Sequence, residues 1–352
     1  MEQRAIEFLR RLLDAPGPSG YERAPARVWR QEAESFADEV YGDVTGNSYA
    51  RVGSEGGPKV LIAGHADEIG LLITHIDEQG YLWFQGIGGW DDQVVVGQRI
   101  RIAGRDGDVM GVIGKKAAHL LRKEDRDKPT ELREMWIDIG AEDRADAKRR
   151  VRVGDAAVID ASFVRLTDDL CVSRSMDNRV GAFVALETAR LLAQDRPAAD
   201  VYAVATAQEE TSFAGAFTAS FRVAPAVAIA IDVTHATDYP GADKKADDEV
   251  RLGGGPVLTR GASINPIVFE GLRDAAERLG LDCPVQGAPK TSGTDADAMI
   301  RSGPGTATGV VSIPNRYMHS PNEVVSLSDL ESTARLIAEF VRTVGPDSDF
   351  RP

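Results

Sequence analysis

The chain has 352 residues, 43% of them hydrophobic, which suffices to bury a large core and to build two domains. Acidic residues outnumber basic ones by 55 to 41, and the resulting formal charge of −14 argues against nucleic acid or an anionic membrane as a partner. The two cysteines, Cys171 and Cys283, stand far apart and outside any CxxC spacing, so neither a disulfide framework nor a thiolate metal site is implied and both read as buried packing residues.

From the N-terminus, Ile6, Leu9, Leu12 and Leu13 recur on one helical face until Pro16 and Gly17 stop the helix. Charges interrupt every apolar stretch, so the segment is an amphipathic opening helix and not a signal peptide. No run reaches the roughly 20 apolar residues of a membrane span, and the expected location is cytoplasmic. Trp29, Ala33, Phe36 and Val40 predict a second helix within residues 22–40, and residues 59–64 (KVLIAG) predict a buried strand. After Asp67 the texture changes to short β-rich runs broken by Glu-Gln-Gly, Gly-Gly and Gly-Gln, which predicts a small barrel or sandwich without a helix. Trp83, Phe84 and Trp90 there either fill that small core or cover apolar surface against a partner. The charged stretch 122–134 reads as a solvated loop.

An α/β pattern returns with a helix over residues 179–194 and two near-continuous apolar strands, residues 201–207 and 226–232, as expected of a sheet covered on both faces. Helices follow at about 267–279, 295–301 and 327–341, with a strand at 306–313 between the last two. The expected fold is α/β: a mixed sheet flanked by helices, built from residues 1–67 and 165–352, with a small β domain inserted over residues 68–164.

Five scattered segments carry metal-ligand side chains where strands are expected to end: His65 with Asp67, then Asp177, then Glu209 with Glu210, then Asp232, and last His319. Two imidazoles and three carboxylates are what two adjacent zinc-like ions need, because borderline-soft Zn²⁺ accepts nitrogen and oxygen and one carboxylate can bridge. One glutamate is then left over. Neighbouring side chains point different ways, so one of Glu209 and Glu210 can bind metal while the other serves the attacking water as general base. Residues two apart at a strand end share a face, which lets Asp67 accept the second ring N–H of His65 and fix its tautomer; read alone, Asp67 is also a turn-forming aspartate. Asp177 and Asp232 each close or follow an apolar run, where acids need partners. His235, His75 and His119 read as non-ligands.

The ordered segments resemble the tetrahedral (TET) aminopeptidase family, dinuclear-metal exopeptidases also labelled glutamyl aminopeptidase or cellulase M. The resemblance is carried by PGPSGYE (16–22), GHADEIGLLI (64–73), GVIGKKAAHLL (111–121), VGDAAVID (153–160), SMDNRVGAFVALE (175–187), DVTHATDYPG (232–241), SGTDADAM (292–299) and VSIPNRYMHSPNEVV (311–325). It implies a zinc-exopeptidase-like fold and a metal-dependent aminopeptidase acting on short peptides with two divalent ions, zinc or cobalt, with manganese as a further candidate. Asp177 would bridge the metals, His65 and Asp232 would complete one site, and Glu210 and His319 the other. Glu209 would be the base and Asp67 the partner of His65. A cis peptide after Asp177, dimer contacts through the inserted β domain and hollow tetrahedral dodecamers are implied as well. The segment Thr211 to Phe213 departs from the family's Val-Gly-containing turn. Two rivals differ in kind: a related co-catalytic zinc amidohydrolase, either deacetylase or carboxypeptidase, would act on blocked substrates, and an inactive assembly protein would need no complete ligand set. Glycosidase chemistry is rejected, since a metal-filled carboxylate cluster leaves no free acid and nucleophile pair.

Overall fold

The computed structural model describes residues 1–53, 55–122, 128–245 and 248–352. The opening segment forms α1 (Gln3–Asp14), which buries Phe8, Leu9, Leu12 and Leu13. Helix α2 (Arg23–Ala33) buries Trp29, whose indole N–H donates to the carbonyl of Ala182 at 2.8 Å. The expected extension of this helix to Val40 does not form. Val40 instead lies in β1 (Glu39–Gly42), which pairs antiparallel with β2 (Ser48–Gly53). The turn between them decides this locally, because one oxygen of Asp43 accepts the N–H groups of Thr45, Gly46 and Asn47. Strand β3 (Lys59–His65) then runs to His65 as its last residue.

The β-rich region contains β4 (Gly70–Ile76), β5 (Leu82–Ile87), a one-turn helix α3 (Asp92–Val95), β6 (Arg99–Gly104), β7 (Gly107–Gly114), β8 (Trp136–Asp138), α4 (Arg144–Arg150) and β9 (Ala156–Ile159). Its six strands close into a barrel in the order β4-β5-β8-β7-β6-β9. Contrary to the helix-free expectation, α3 and α4 are present. Each is started by an aspartate N-cap, Asp91 to the N–H of Gln93 and Asp143 to that of Asp146, and both are too short to show apolar periodicity. Within the charged stretch, residues 123–127 lie outside the described residues, and 132–134 form one 3₁₀ turn. Phe84 joins Leu71, Ile73, Leu82, Ile100 and Ile137 in the barrel's own core. Trp83 and Trp90 are half-buried, Trp90 donating its indole N–H to the carbonyl of Gly70.

The remainder is β10 (Val164–Arg165), β11 (Leu170–Ser173), α5 (Met176–Gln194), β12 (Asp200–Thr206), α6 (Glu209–Ser212), α7 (Ala214–Val223), β13 (Val227–His235), β14 (Val257–Gly261), α8 (Pro266–Leu279), β15 (Val285–Ala288), α9 (Ala296–Met299), β16 (Ala307–Asn315), β17 (Glu323–Ser326) and α10 (Leu327–Arg342). The main sheet is mixed, with order β1-β2-β12-β3-β13-β16-β14-β15, and its centre, β12, β3, β13 and β16, is parallel. Strands β10, β11 and β17 make a small separate sheet. Helix α5 packs on β3, β12 and β13, while α7 and α9 also lie against the central strands. Among the described residues no helix is long and apolar enough to cross a membrane.

Close backbone contact sets the position of β3. A Cβ on Gly64 would stand 2.2 Å from the carbonyl carbon of Gly181 in α5, a distance no side chain tolerates. Gly64→Ala is therefore expected to destabilise the protein by at least about 1–3 kcal/mol through overpacking, whereas Gly345→Ala, with nothing within 4 Å of its added Cβ, stays within about 0.5 kcal/mol of the parent. Scanning calorimetry of both variants checks this.

Candidate metal centre

Five elements converge at the C-terminal end of the parallel strands, where α/β sheets gather their ligands. His65 closes β3, and its Nε2 lies 3.2 Å from Oδ1 of Asp177 and 3.6 Å from Oε2 of Glu209. His319 approaches from the other side, its Nε2 3.4 Å from Oδ2 of Asp177 and 3.6 Å from Oε2 of Glu210. The two oxygens of Asp177 thus face two different imidazoles. Ligand atoms of His65, Glu209 and Asp232 lie within 4.8 Å of one another, as do those of His65, Asp177 and Glu210.

His65 closes its strand outright; Asp67, Asp177, Glu209 and His319 follow the ends of β3, β11, β12 and β16 within four residues, and Asp232 is the exception. Asp232 is internal to β13, which continues to His235 because it pairs with β16 as far as Asn315. Asp177 precedes the regular part of α5: the Asp177–Asn178 bond is cis, and both residues have non-helical backbone angles. Glu209 and Glu210 open the one-turn helix α6 after Gln208, which has φ of 58°. His319 sits in a turn with φ of 60°.

Asp67 links these pieces. Its Oδ1 is 3.4 Å from Nδ1 of His65, and its two oxygens accept the backbone N–H groups of Glu209 and Glu210, each at 3.1 Å. The Nδ1 of His65 makes its hydrogen bond with the backbone carbonyl of Asp67 at 3.2 Å, so Asp67 orients the imidazole through its main chain while its fully buried carboxylate fixes the start of α6. His235 is exposed on the cavity rim and lies outside both clusters, while His75 and His119 belong to the barrel region. Thr211 contacts Ser19 through their hydroxyls at 2.8 Å, and Phe213 lines the cavity.

Two acids were not singled out from sequence. Buried Asp295 bonds the hydroxyl of Thr206, and buried Glu323 accepts the N–H groups of Asp177 and His319. Glu323 stands before the apolar pair Val324-Val325, the reverse of Asp232, which closes its run, so the cue that marked Asp232 does not mark it.

Four carboxylates packed against two imidazoles leave excess negative charge in a buried place. Burial, reinforced by Asp232, Asp295 and Asp177, pushes the Glu209 carboxyl up to about 11, and burial beside Asp177 pushes Glu210 up to about 8. Asp232 rises well above the carboxylate range for the same reasons. Asp177 goes the other way, since hydrogen bonds from His319 and His65 outweigh its burial. Burial opposes protonation of His65, but Glu209, Asp177 and Asp67 outweigh it and raise its pKa well above the ordinary value; His319 is raised to about 9, chiefly by its bond to Asp177. Among the described residues, Oε1 of Glu210 is buried without a hydrogen-bond partner. A mixed nitrogen and carboxylate set with an unsatisfied buried oxygen and four acids fits two divalent cations, whose charges would balance those of the acids.

The centre opens into a cavity of about 570 Å³ walled by residues such as Phe213, Thr234, Thr259, Gln286 and Asp248. No lysine or arginine lines it among the described residues.

Comparison with known proteins places this geometry in context. The sequence profile of the family described as M42 glutamyl aminopeptidase matches residues 46–336. A lysyl aminopeptidase of Pyrococcus furiosus is 35% identical over 349 residues, covering 98% of this chain and 99% of that protein. The crystal structure of a TET aminopeptidase from a marine sediment archaeon of the Thaumarchaeota superposes with a TM-score of 0.94 at 32% identity, covering 98% and 97% of the two chains. The TET1 peptidase of Pyrococcus horikoshii, described as able to assemble into a tetrahedron or a large octahedral shell, gives 0.85 at 31% identity over 96% and 99%. The matches to the relatives span nearly the whole chain, with the sheet, the barrel and all five candidate segments; the chain belongs to the M42 glutamyl aminopeptidase family.

Proposed function

We propose that the chain removes N-terminal residues from short peptides with the help of two divalent metal ions, which the residues gathered at the end of the sheet would hold. The observation that carries this reading is the placement of Asp177, one oxygen toward His65 and the other toward His319. Asp177 would bridge, His65 and Asp232 would hold one ion, and Glu210 and His319 the other. Zinc or cobalt suits this donor set, with manganese a further candidate; when bound, such ions would supply Lewis acidity toward the scissile carbonyl and the attacking water. Glu209, facing the same cavity, would be the base: the charge of bound ions would have to offset the burial and the neighbouring acids that raise its pKa and so keep it ionised, letting it take a proton from the attacking water and pass it to the leaving amine nitrogen. The choice of Glu209 over Glu210 as base follows the family pattern. Acidic groups around the centre suit a free N-terminal ammonium, which separates an aminopeptidase from an amidohydrolase of blocked substrates.

Three experiments test the reading. Initial rates on leucyl, lysyl and glutamyl substrates and their N-acetyl counterparts should show cleavage of the free amines alone. The glutamyl substrate should be slower by about tenfold or more, because its carboxylate meets Asp248 and, among the described residues, no lysine or arginine in the cavity wall. Faster cleavage of acetylated substrates would favour the amidohydrolase instead.

Chelation should abolish activity and Co²⁺, Zn²⁺ or Mn²⁺ restore it. Glu209→Gln should keep its metal, read by mass spectrometry, while turnover falls roughly 10²- to 10⁴-fold. If Glu209→Gln empties the centre and Glu210→Gln does not, the two roles are exchanged.

We also propose a homo-oligomer built on dimers, with the barrel, roughly residues 68–164, as the contact domain and a tetrahedral dodecamer as the full assembly, as the TET relatives suggest. Support within the chain is apolar surface on the barrel, where Met110 and Val112, two apart on β7, are each nearly half exposed. Light scattering at micromolar concentration should report a dimer or larger; a monodisperse monomer with full activity would remove the assembly while leaving the catalytic assignment standing.

A further inference from the structure

A buried carboxylate outside the proposed ligand set holds two of those ligands by their backbones. Glu323 opens β17 and is only 2% exposed. Its Oε2 accepts the N–H of Asp177 at 3.0 Å and its Oε1 the N–H of His319 at 2.8 Å. Among the described residues it has no ion-pair partner, for Arg174, which lines the same small cleft, is engaged by Glu68. A carboxyl buried on two backbone donors, with the His319 imidazole as the positive group acting on it, is a costly choice where a neutral acceptor would pack. Its two oxygens, however, reach two separate segments at once, which a hydroxyl does not.

The ladder explains how Glu323 gets there. Strand β17 pairs antiparallel with β11, and Ser173 stands opposite Glu323, so the strand that leads into the Asp177 segment carries its own brace. The two metal positions differ in this respect. His65 is held by its strand and by Asp67, whereas the backbone of His319 lies in a turn whose N–H is fixed by Glu323.

We propose that Glu323 is a positioning residue that sets the spacing between the Asp177 carboxylate and the His319 imidazole, and thereby the affinity of the second metal position, the one shared by Glu210 and His319. The proposal rests on the two-metal reading given above.

The test is a calorimetric zinc titration of metal-stripped protein, with metal content by mass spectrometry and the thermal midpoint of the stripped form, for the parent chain, Glu323→Gln and Glu323→Ala. Glutamine keeps the size but turns one acceptor into a donor facing an N–H, and alanine removes both acceptors without that clash. The parent should take up two ions. Because Asp177 is shared by both positions and His319 by one, both variants should bind the second ion about 10- to 100-fold more weakly and the first with a clearly smaller loss, with the stripped midpoint near that of the parent. Two parental affinities in the variants overturn the proposal. So does equal loss at both positions with a lowered stripped midpoint, which would make Glu323 a structural residue only. A parent chain that binds fewer than two ions overturns the two-metal reading itself.

Discussion

The catalytic end of this protein is organised by one buried guanidinium. Arg179 is fully buried and donates to the carbonyls of Leu12, Leu13, Ala15, Gly17 and Ala66 and to the carboxylate of Glu68. Those acceptors are the end of α1, the turn after it, the residue following His65 and the root of the barrel. Arg179 itself lies two residues past Asp177. Burial lowers its pKa to about 10 against the pull of Glu68, and Arg174 closes the other side of the same carboxylate. Taking away one partner of such a buried set typically costs about 3–5 kcal/mol, because the remaining charge is left without compensation. Here the cost would fall on the geometry of the centre as much as on the fold.

Around that anchor, the acids divide by what their oxygens touch. Asp177, Glu209, Glu210 and Asp232 crowd the imidazoles, and their mutual repulsion calls for cations. Asp67 and Glu323 face backbone N–H groups and fix where the first set stands. The pattern resembles the outer supports that orient ligands in metalloproteins, built here from main-chain donors.

The chemistry of the centre was legible because it depends on residue type. Imidazoles and carboxylates at the edges of apolar runs, in the order His65, Asp177, Glu209–Glu210, Asp232 and His319, are brought within a few ångströms of each other. Segment length and backbone detail were less legible. Val40 fits a helical period yet pairs in β1, since the Asp43 turn offers its backbone a hairpin. Helices α3 and α4 depend on a cap and a single turn, which periodicity cannot register. Strand β13 overran Asp232 because its length is set by its partner β16, and partner identity is a tertiary fact. Glu323 escaped notice because its work is done on main-chain groups that leave no trace in side-chain pattern.

The barrel comes close to the centre it interrupts. Gly88 and Gly89, just past β5, lie against Glu210 and His319: a Cβ on Gly88 would stand 3.2 Å from Oε2 of Glu210, and one on Gly89 would stand 3.3 Å from Nδ1 of His319. Two adjacent residues without side chains let the inserted domain supply a wall at van der Waals range. The insertion is consequently not a detachable module. Excising it, or grafting a barrel from a relative with a bulkier residue at either position, would open or crush one side of the reaction chamber, so the two halves of the protein have to be exchanged together.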